Sequence, residues 1–124
     1  MQKKIMVVDD SRFIFEDMKH KFEGIDDYSI EYYCPDGETA LEKYSEYKPD
    51  LVTVDIVMPG IDGFETAKAL LEKHPDAKIV MVSSLAFDET MEEAKELGTL
   101  GFIAKPFELQ EVLICFNKIF NPQQ

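Results

Sequence analysis

Short apolar runs and longer amphipathic stretches alternate five times along this chain, and that alternation restricts the folds open to it. The runs are Lys4-Ile5-Met6-Val7-Val8, a weaker one from Ser29 to Cys34, Leu51-Val52-Thr53-Val54, Lys78-Ile79-Val80-Met81-Val82 and Gly101-Phe102-Ile103-Ala104. Runs apolar at successive positions predict strands buried on both faces, as in a parallel sheet covered by helices. The intervening stretches carry helical patterns. Ile14, Phe15, Met18 and Phe22 form a stripe in a helix from Ser11, its N-cap candidate, to Phe22. Asp36-Gly37-Glu38 opens a second helix through Ala40, Leu41 and Tyr44, stopped before Pro49. Asp62-Gly63 leads into a third through Phe64, Ala67, Leu70 and Leu71, stopped by Pro75. Asp88 to Leu97 predicts a short fourth helix, with Gly98 suited to its left-handed exit. Leu109 to Phe120, with Val112, Leu113, Cys115, Phe116 and Ile119, predicts a fifth, ended by Asn121-Pro122. Five β-α units joined by right-handed crossovers predict an α/β fold, a doubly wound five-stranded parallel sheet with five helices.

Length and charge narrow the function. The 124 residues suffice for one domain with a sizeable core, spanning 1–124, and are too few for two. No apolar stretch approaches membrane-spanning length, and the start, Met1-Gln2-Lys3-Lys4-Ile5, has no secretory signature. The expected location is the cytoplasm. A net charge of −12 argues against a broad nucleic-acid surface and against an anionic membrane surface. It suits an acidic metal pocket or a partner with a basic face, although a solvated surface accounts for most of it. The tail Asn121-Pro122-Gln123-Gln124 is too short to lead into another unit. Cys34 and Cys115 lack any C-x-x-C spacing and read as small buried or half-buried apolar residues, without a disulfide. His20 and His74 sit among charged residues and read as solvated.

Four of the apolar runs end in polar residues suited to one chemistry. The first runs into Asp9-Asp10, the third into Asp55, the fourth into Ser83 and the fifth into Lys105-Pro106. In a parallel sheet these ends share the carboxyl edge, where open α/β sheets place ligands. Three carboxylates there form a hard-oxygen site suited to Mg²⁺. Taken alone, Asp9 and Asp10 could equally cap the following helix. Asp55 in an apolar context needs a metal, a partner or a turn, and a carboxylate can act as a phosphoryl-accepting nucleophile. Ser83 offers a hydroxyl and Lys105 an ammonium to phosphoryl oxygens. Taken alone, each is an ordinary strand-end residue, and Phe102 is plain core.

The paired acids, the string Asp55-x-x-Met58-Pro59-x-x-Asp62-Gly63, Ser83 and Lys105-Pro106-Phe107 occur in an order and at gaps that resemble the receiver domain of two-component response regulators. The likeness runs from Lys3 to Phe120. It implies the flavodoxin-like strand order 2-1-3-4-5, which the residues alone do not supply. It implies Asp55 as phospho-acceptor, and Mg²⁺ held by Asp10, Asp55 and the backbone carbonyl of Val57, with Asp9 acting nearby. It implies that Ser83 and Lys105 contact the phosphoryl group, and that Ser83 and Phe102 form the switch. It also implies a cis bond between Lys105 and Pro106. The phosphodonor would be a sensor histidine kinase or phosphotransfer protein. The output would be an effector protein bound at the face from Asp88 to Phe120, as in chemotaxis regulators and phosphorelays. Val57 and Leu85 stand where fast-hydrolysing members often carry polar residues.

Such a chain catalyses only its own phosphorylation and dephosphorylation. Three alternatives compete with a stand-alone receiver. One is the receiver half of a longer DNA-binding regulator. The second is an aspartyl-phosphate phosphatase, which Asp9-Asp10-Ser11 disfavours because those enzymes use D-x-D. The third is a pseudo-receiver, which the intact acceptor, acid pair, Ser83 and Lys105 disfavour.

Overall fold

A computed structural model describes residues 2–122, so Met1, Gln123 and Gln124 of the expected 1–124 domain and tail lie outside the described residues. The elements alternate throughout: β1 (Lys3–Val8), α1 (Arg12–Lys21), β2 (Tyr28–Cys34), α2 (Gly37–Tyr47), β3 (Leu51–Val54), α3 (Gly63–Lys73), β4 (Ile79–Ser83), α4 (Asp88–Leu97), β5 (Gly101–Ala104) and α5 (Leu109–Phe120). The strands form one parallel sheet in the order β2-β1-β3-β4-β5. The chain starts in the middle of the sheet, adds β2 on one side and then builds outward on the other. This is the flavodoxin-like order 2-1-3-4-5 that the resemblance implies.

Successive strand side chains point to opposite faces, and the core divides accordingly. Ile5, Val7, Leu51, Val80 and Val82 pack with Phe15, Met18, Val112 and Phe116 of α1 and α5. Met6, Val8, Val52, Val54, Ile79 and Met81 pack on the other face with Ala40, Ala67, Leu70 and Ala94 of α2, α3 and α4. This is why β3 and β4 are buried at every position and apolar at all but Thr53 and Ser83. Phe116 sits among aromatic rings, 5.3 Å from Tyr28 and 5.9 Å from Phe22 between centroids. Gly101 leaves room for α5 against β5, since a Cβ there would lie 2.7 Å from the Cys115 sulfur.

Local chemistry sets the helix ends. Asp36 caps α2 by accepting from the Thr39 amide at 2.7 Å. Asp62 and Glu65 form a reciprocal capping box at the start of α3. Gly98 leaves α4 at φ 104, as its position predicts. Ser11 does occupy the N-cap of α1, but its side chain makes no capping bond. Its amide instead donates to Asp9 Oδ1 at 2.9 Å.

One reading is corrected. His20 is exposed, but His74 is half-buried, its ring 4.4 Å from that of Tyr44, and its Nε2 is buried without a hydrogen-bond partner among the described residues. The charged neighbours in sequence hid an aromatic contact between the ends of α2 and α3. Both cysteines are free, Cys34 buried and Cys115 half-buried. Burial pushes their thiols up to about 12 and about 11, so neither is a thiolate nucleophile at neutral pH.

Candidate functional site

Strand register sets the site. Val8 of β1 pairs with Val54 of β3, so the next residues, Asp9 and Asp55, leave the sheet at the same level. The ladder runs on past the strand ends. The Asp9 amide donates to the Cys34 carbonyl at 3.1 Å, Asp55 to Val8 at 3.0 Å and Lys105 to Ser83 at 3.0 Å. Four of the sequence-predicted residues are thus held by backbone bonds at one edge, beside the point where the strand order reverses.

Asp9, Asp10 and Asp55 each offer a carboxylate oxygen, and these oxygens lie within 4.8 Å of one another. Asp9 is 2% exposed, Asp55 is buried and Asp10 is open to solvent. Lys105 reaches in from the far side of the sheet. Its Nζ donates to Asp9 Oδ2 at 2.7 Å and to Asp55 Oδ2 at 3.2 Å. The Lys105–Pro106 bond is cis, the isomer expected from the sequence.

The electrostatics follow from three converging carboxylates and one ammonium. Burial pushes the Asp9 carboxyl above the usual range, with the hydrogen bond from Lys105 pulling the other way and Asp55 adding to the rise. Burial acts to lower the Lys105 ammonium, but the hydrogen bond to Asp9 and the charges of Asp9 and Asp55 outweigh it and leave it raised. Lys105 is therefore a fixed positive charge. The carboxylates exceed it in number, and a hard divalent cation with oxygen ligands would offset the excess. The donor set of carboxylate oxygens fits a small hard ion such as Mg²⁺.

Ser83 is buried at the end of β4, and its Oγ accepts from the Leu85 amide at 3.1 Å. Phe102 on β5 is half-buried and lines a groove against α4. Val57 lies in the loop after Asp55 with its side chain 60% exposed, and Leu85 is half-buried.

Several residues that support the site were given no role in it from the sequence. The Tyr33 hydroxyl donates to the Asp9 carbonyl at 2.8 Å. Gly63 donates its amide to the Ile56 carbonyl at 2.7 Å and closes the loop after Asp55. A Cβ at Gly63 would lie 2.1 Å from the Asp55 carbonyl oxygen, so only glycine lets α3 start this close. Glu38 accepts from the Ile61 amide at 3.3 Å and ties that loop to α2. Thr90 donates through Oγ1 to the carbonyls of Leu85 and Phe87 and accepts from the Phe87 amide at 3.1 Å. The D-x-x-M-P-x-x-D-G string includes Gly63 but does not show its close approach to the Asp55 carbonyl. Nothing local in sequence marks Tyr33, Glu38 or Thr90, because their partners are set by tertiary packing.

The chain matches the family described as response regulator receiver domain over residues 5–116. It is 34% identical to the chemotaxis protein CheY of Thermotoga maritima over 119 residues, 96% of this chain and 98% of that one. It is 37% identical to the CheY of Halobacterium salinarum over 121 residues, 98% and 99% of the two chains. A chain in the crystal structure of the CheX–CheY–BeF3–Mg complex from Borrelia burgdorferi is similar with a TM-score of 0.87 and 29% identity, over 95% of this chain and 89% of that one.

Proposed function

The chain belongs to the response regulator receiver domain family, and from that membership we propose that it is a phospho-accepting signalling receiver with Asp55 as its acceptor. The observation that carries this assignment is the meeting of Asp9, Asp10 and Asp55 within 4.8 Å, with Lys105 donating to two of them. Asp55 is the buried carboxylate that follows the central strand β3, with Asp9 and Asp10 beside it and Lys105 across from it.

We assign the metal site to Asp9, Asp10, Asp55 and the Val57 carbonyl. Mg²⁺ bound there supplies charge neutralisation between an anionic carboxylate and an anionic phosphoryl group. Asp55 attacks phosphorus in line, forming a P–O bond as the P–N bond of a phosphohistidine donor breaks and its electron pair returns to the imidazole. Lys105 holds a charge beside the incoming oxygens, and Ser83, whose Oγ accepts from the Leu85 amide, has its hydroxyl proton to donate. Hydrolysis returns Asp55 as a carboxylate and releases inorganic phosphate to water. The activity is self-directed, so the chain is not an enzyme acting on a separate substrate.

The phosphodonor in this reading is a sensor histidine kinase or phosphotransfer protein. Phosphorylation adds roughly one to two negative charges at the sheet edge. Ser83 and Phe102 shift together, and the population moves toward a state whose face from Asp88 to Phe120 binds an effector. We place the chain in the cytoplasm, acting on proteins and not on DNA or membrane. Among the described residues no helix is long and apolar enough to cross a membrane.

The test is labelling by a small acyl-phosphate donor, read by intact mass. Labelling requires Mg²⁺ and stops when the ion is chelated. Equal labelling with and without Mg²⁺ would contradict the site.

A further inference from the structure

The acid pair and the loop after Asp55 are both tied to one neighbouring unit, β2 with α2. Asp9 is held on its two backbone sides. Its amide donates to the Cys34 carbonyl at 3.1 Å, and its carbonyl accepts from the Tyr33 hydroxyl at 2.8 Å. That carbonyl belongs to the peptide that leads into Asp10. Tyr33 is itself fixed by packing on α1. Its ring centroid lies 5.2 Å from that of Phe15, and the Arg12 guanidinium lies 5.3 Å from it on a ring face.

The second tie runs from Glu38, in the first turn of α2, to the loop between β3 and α3. Glu38 Oε2 accepts from the Ile61 amide at 3.3 Å. Gly60 makes room for this carboxylate. A Cβ there would lie 2.6 Å and 2.9 Å from its two oxygens, and Gly60 adopts φ 79, which favours glycine. An acid in the first turn also suits the α2 dipole. The dipole does not account for a glycine cleared beneath the carboxylate. Between Tyr33 and Glu38, Asp36 caps α2 through the Thr39 amide at 2.7 Å and fixes the turn that joins them.

We propose that Tyr33 and Glu38 are positioning residues for the metal site, bracing it from β2 and α2. Tyr33 sets the peptide that aims Asp10, and Glu38 sets the loop that presents the Val57 carbonyl. The proposal rests on the metal assignment above and adds to it two residues that donate no ligand. Mg²⁺ demands near-octahedral geometry, so ligands fixed before it arrives bind it more tightly. Asp9 and Asp55 are buried and held by Lys105. Asp10 is open to solvent and Val57 lies in a loop with its side chain exposed. These two ligands are the ones that burial does not fix, and they are the two that the braces serve.

Calorimetric titration of the full chain with Mg²⁺ tests this, with melting in chelator to read any loss of fold separately. Tyr33→Phe keeps the ring and removes the hydroxyl. It weakens Mg²⁺ binding about fivefold, and Glu38→Ala does the same, each the effect of one lost hydrogen bond. The pair together weakens it about 25-fold, because the two act on different ligands. Glu38→Gln keeps an oxygen acceptor and stays within about twofold of the native affinity. Tyr32→Phe removes a hydroxyl from the neighbouring residue, on the opposite face of β2, and changes nothing. Affinity unchanged in Tyr33→Phe or in Glu38→Ala would overturn the proposal. So would a loss in Tyr32→Phe as large as in Tyr33→Phe. A loss in Glu38→Gln as large as in Glu38→Ala would assign the effect to charge and overturn it equally. A native chain that binds Mg²⁺ beside unaffected variants sinks the braces alone, whereas a native chain that binds none sinks the metal assignment with them.

Discussion

Asp9 combines burial, a fixed lysine partner and two neighbouring carboxylates, and its energetics follow from that combination. Its native carboxyl titrates above the usual range, mainly because it is buried. The stability contributed by the protonated form is complete below the unfolded value, near pH 4, and is lost as pH rises through the higher native value. Ionised Asp9 therefore weighs on the metal-free fold at neutral pH. Asp9→Asn should raise metal-free stability at pH 7 by about 1 kcal/mol, roughly 4 °C in melting temperature, and weaken Mg²⁺ binding. Thermal unfolding in chelator across pH checks this, and a variant less stable than the native chain would contradict it. Val57 and Leu85 are proposed to govern how long the phosphoryl group lasts. Hydrolysis needs a water in line with phosphorus, and polar groups at the pocket mouth can hold it. These two side chains offer none, so Val57→Asn with Leu85→Glu should speed loss of phosphate about tenfold. Unchanged decay at equal Mg²⁺ would show that they do not control water access. At this scale the chemical types of the site residues were legible in sequence. Their inequality was not: the burial of Asp9 against the exposure of Asp10 depends on how the chain turns after Val8.

At the scale of elements, the loop between β4 and α4 runs from Ser83 at the proposed phosphoryl site to α4 on the proposed output face. Ser83 holds its amide side and Thr90 its carbonyl side. If Ser83 turns toward a phosphoryl group, the Leu85 amide is released and the start of α4 loses one of its ties. Thr90→Val keeps the shape and removes the hydroxyl. It should speed hydrogen exchange from Leu85 to Met91 about fivefold, the effect of one lost hydrogen bond of about 1 kcal/mol. Labelling of Asp55 should persist. Unchanged protection would contradict the role given to Thr90. The helices and strands themselves were legible because apolar periodicity, Pro49, Pro75 and Gly98 mark them. Ser11 shows the boundary of that legibility. It stands at the N-cap as predicted, yet its amide serves Asp9 and its hydroxyl makes no cap, because the tight turn after β1 draws the backbone into the site.

For the whole molecule, the sheet order places β1 and β3 side by side, and the register of Val8 with Val54 carries Asp9 and Asp55 to one level. Lys105, on the outermost strand's exit, spans the edge to reach both. The doubly wound class was legible from alternating runs. The order 2-1-3-4-5 came from family resemblance, since periodicity does not say which strands are neighbours. His74 was misread for a similar reason: its contact with Tyr44 joins two helix ends remote in sequence. The central claim is that this geometry makes Asp55 the acceptor. The direct measurement is intact mass and peptide mapping after incubation with a small acyl-phosphate donor and Mg²⁺, for the native chain and Asp55→Asn. The account predicts one phosphoryl group on the native chain, mapped to Asp55, and no stable adduct on the variant. A variant labelled as well as the native chain, or a native adduct mapped to another residue, would contradict it.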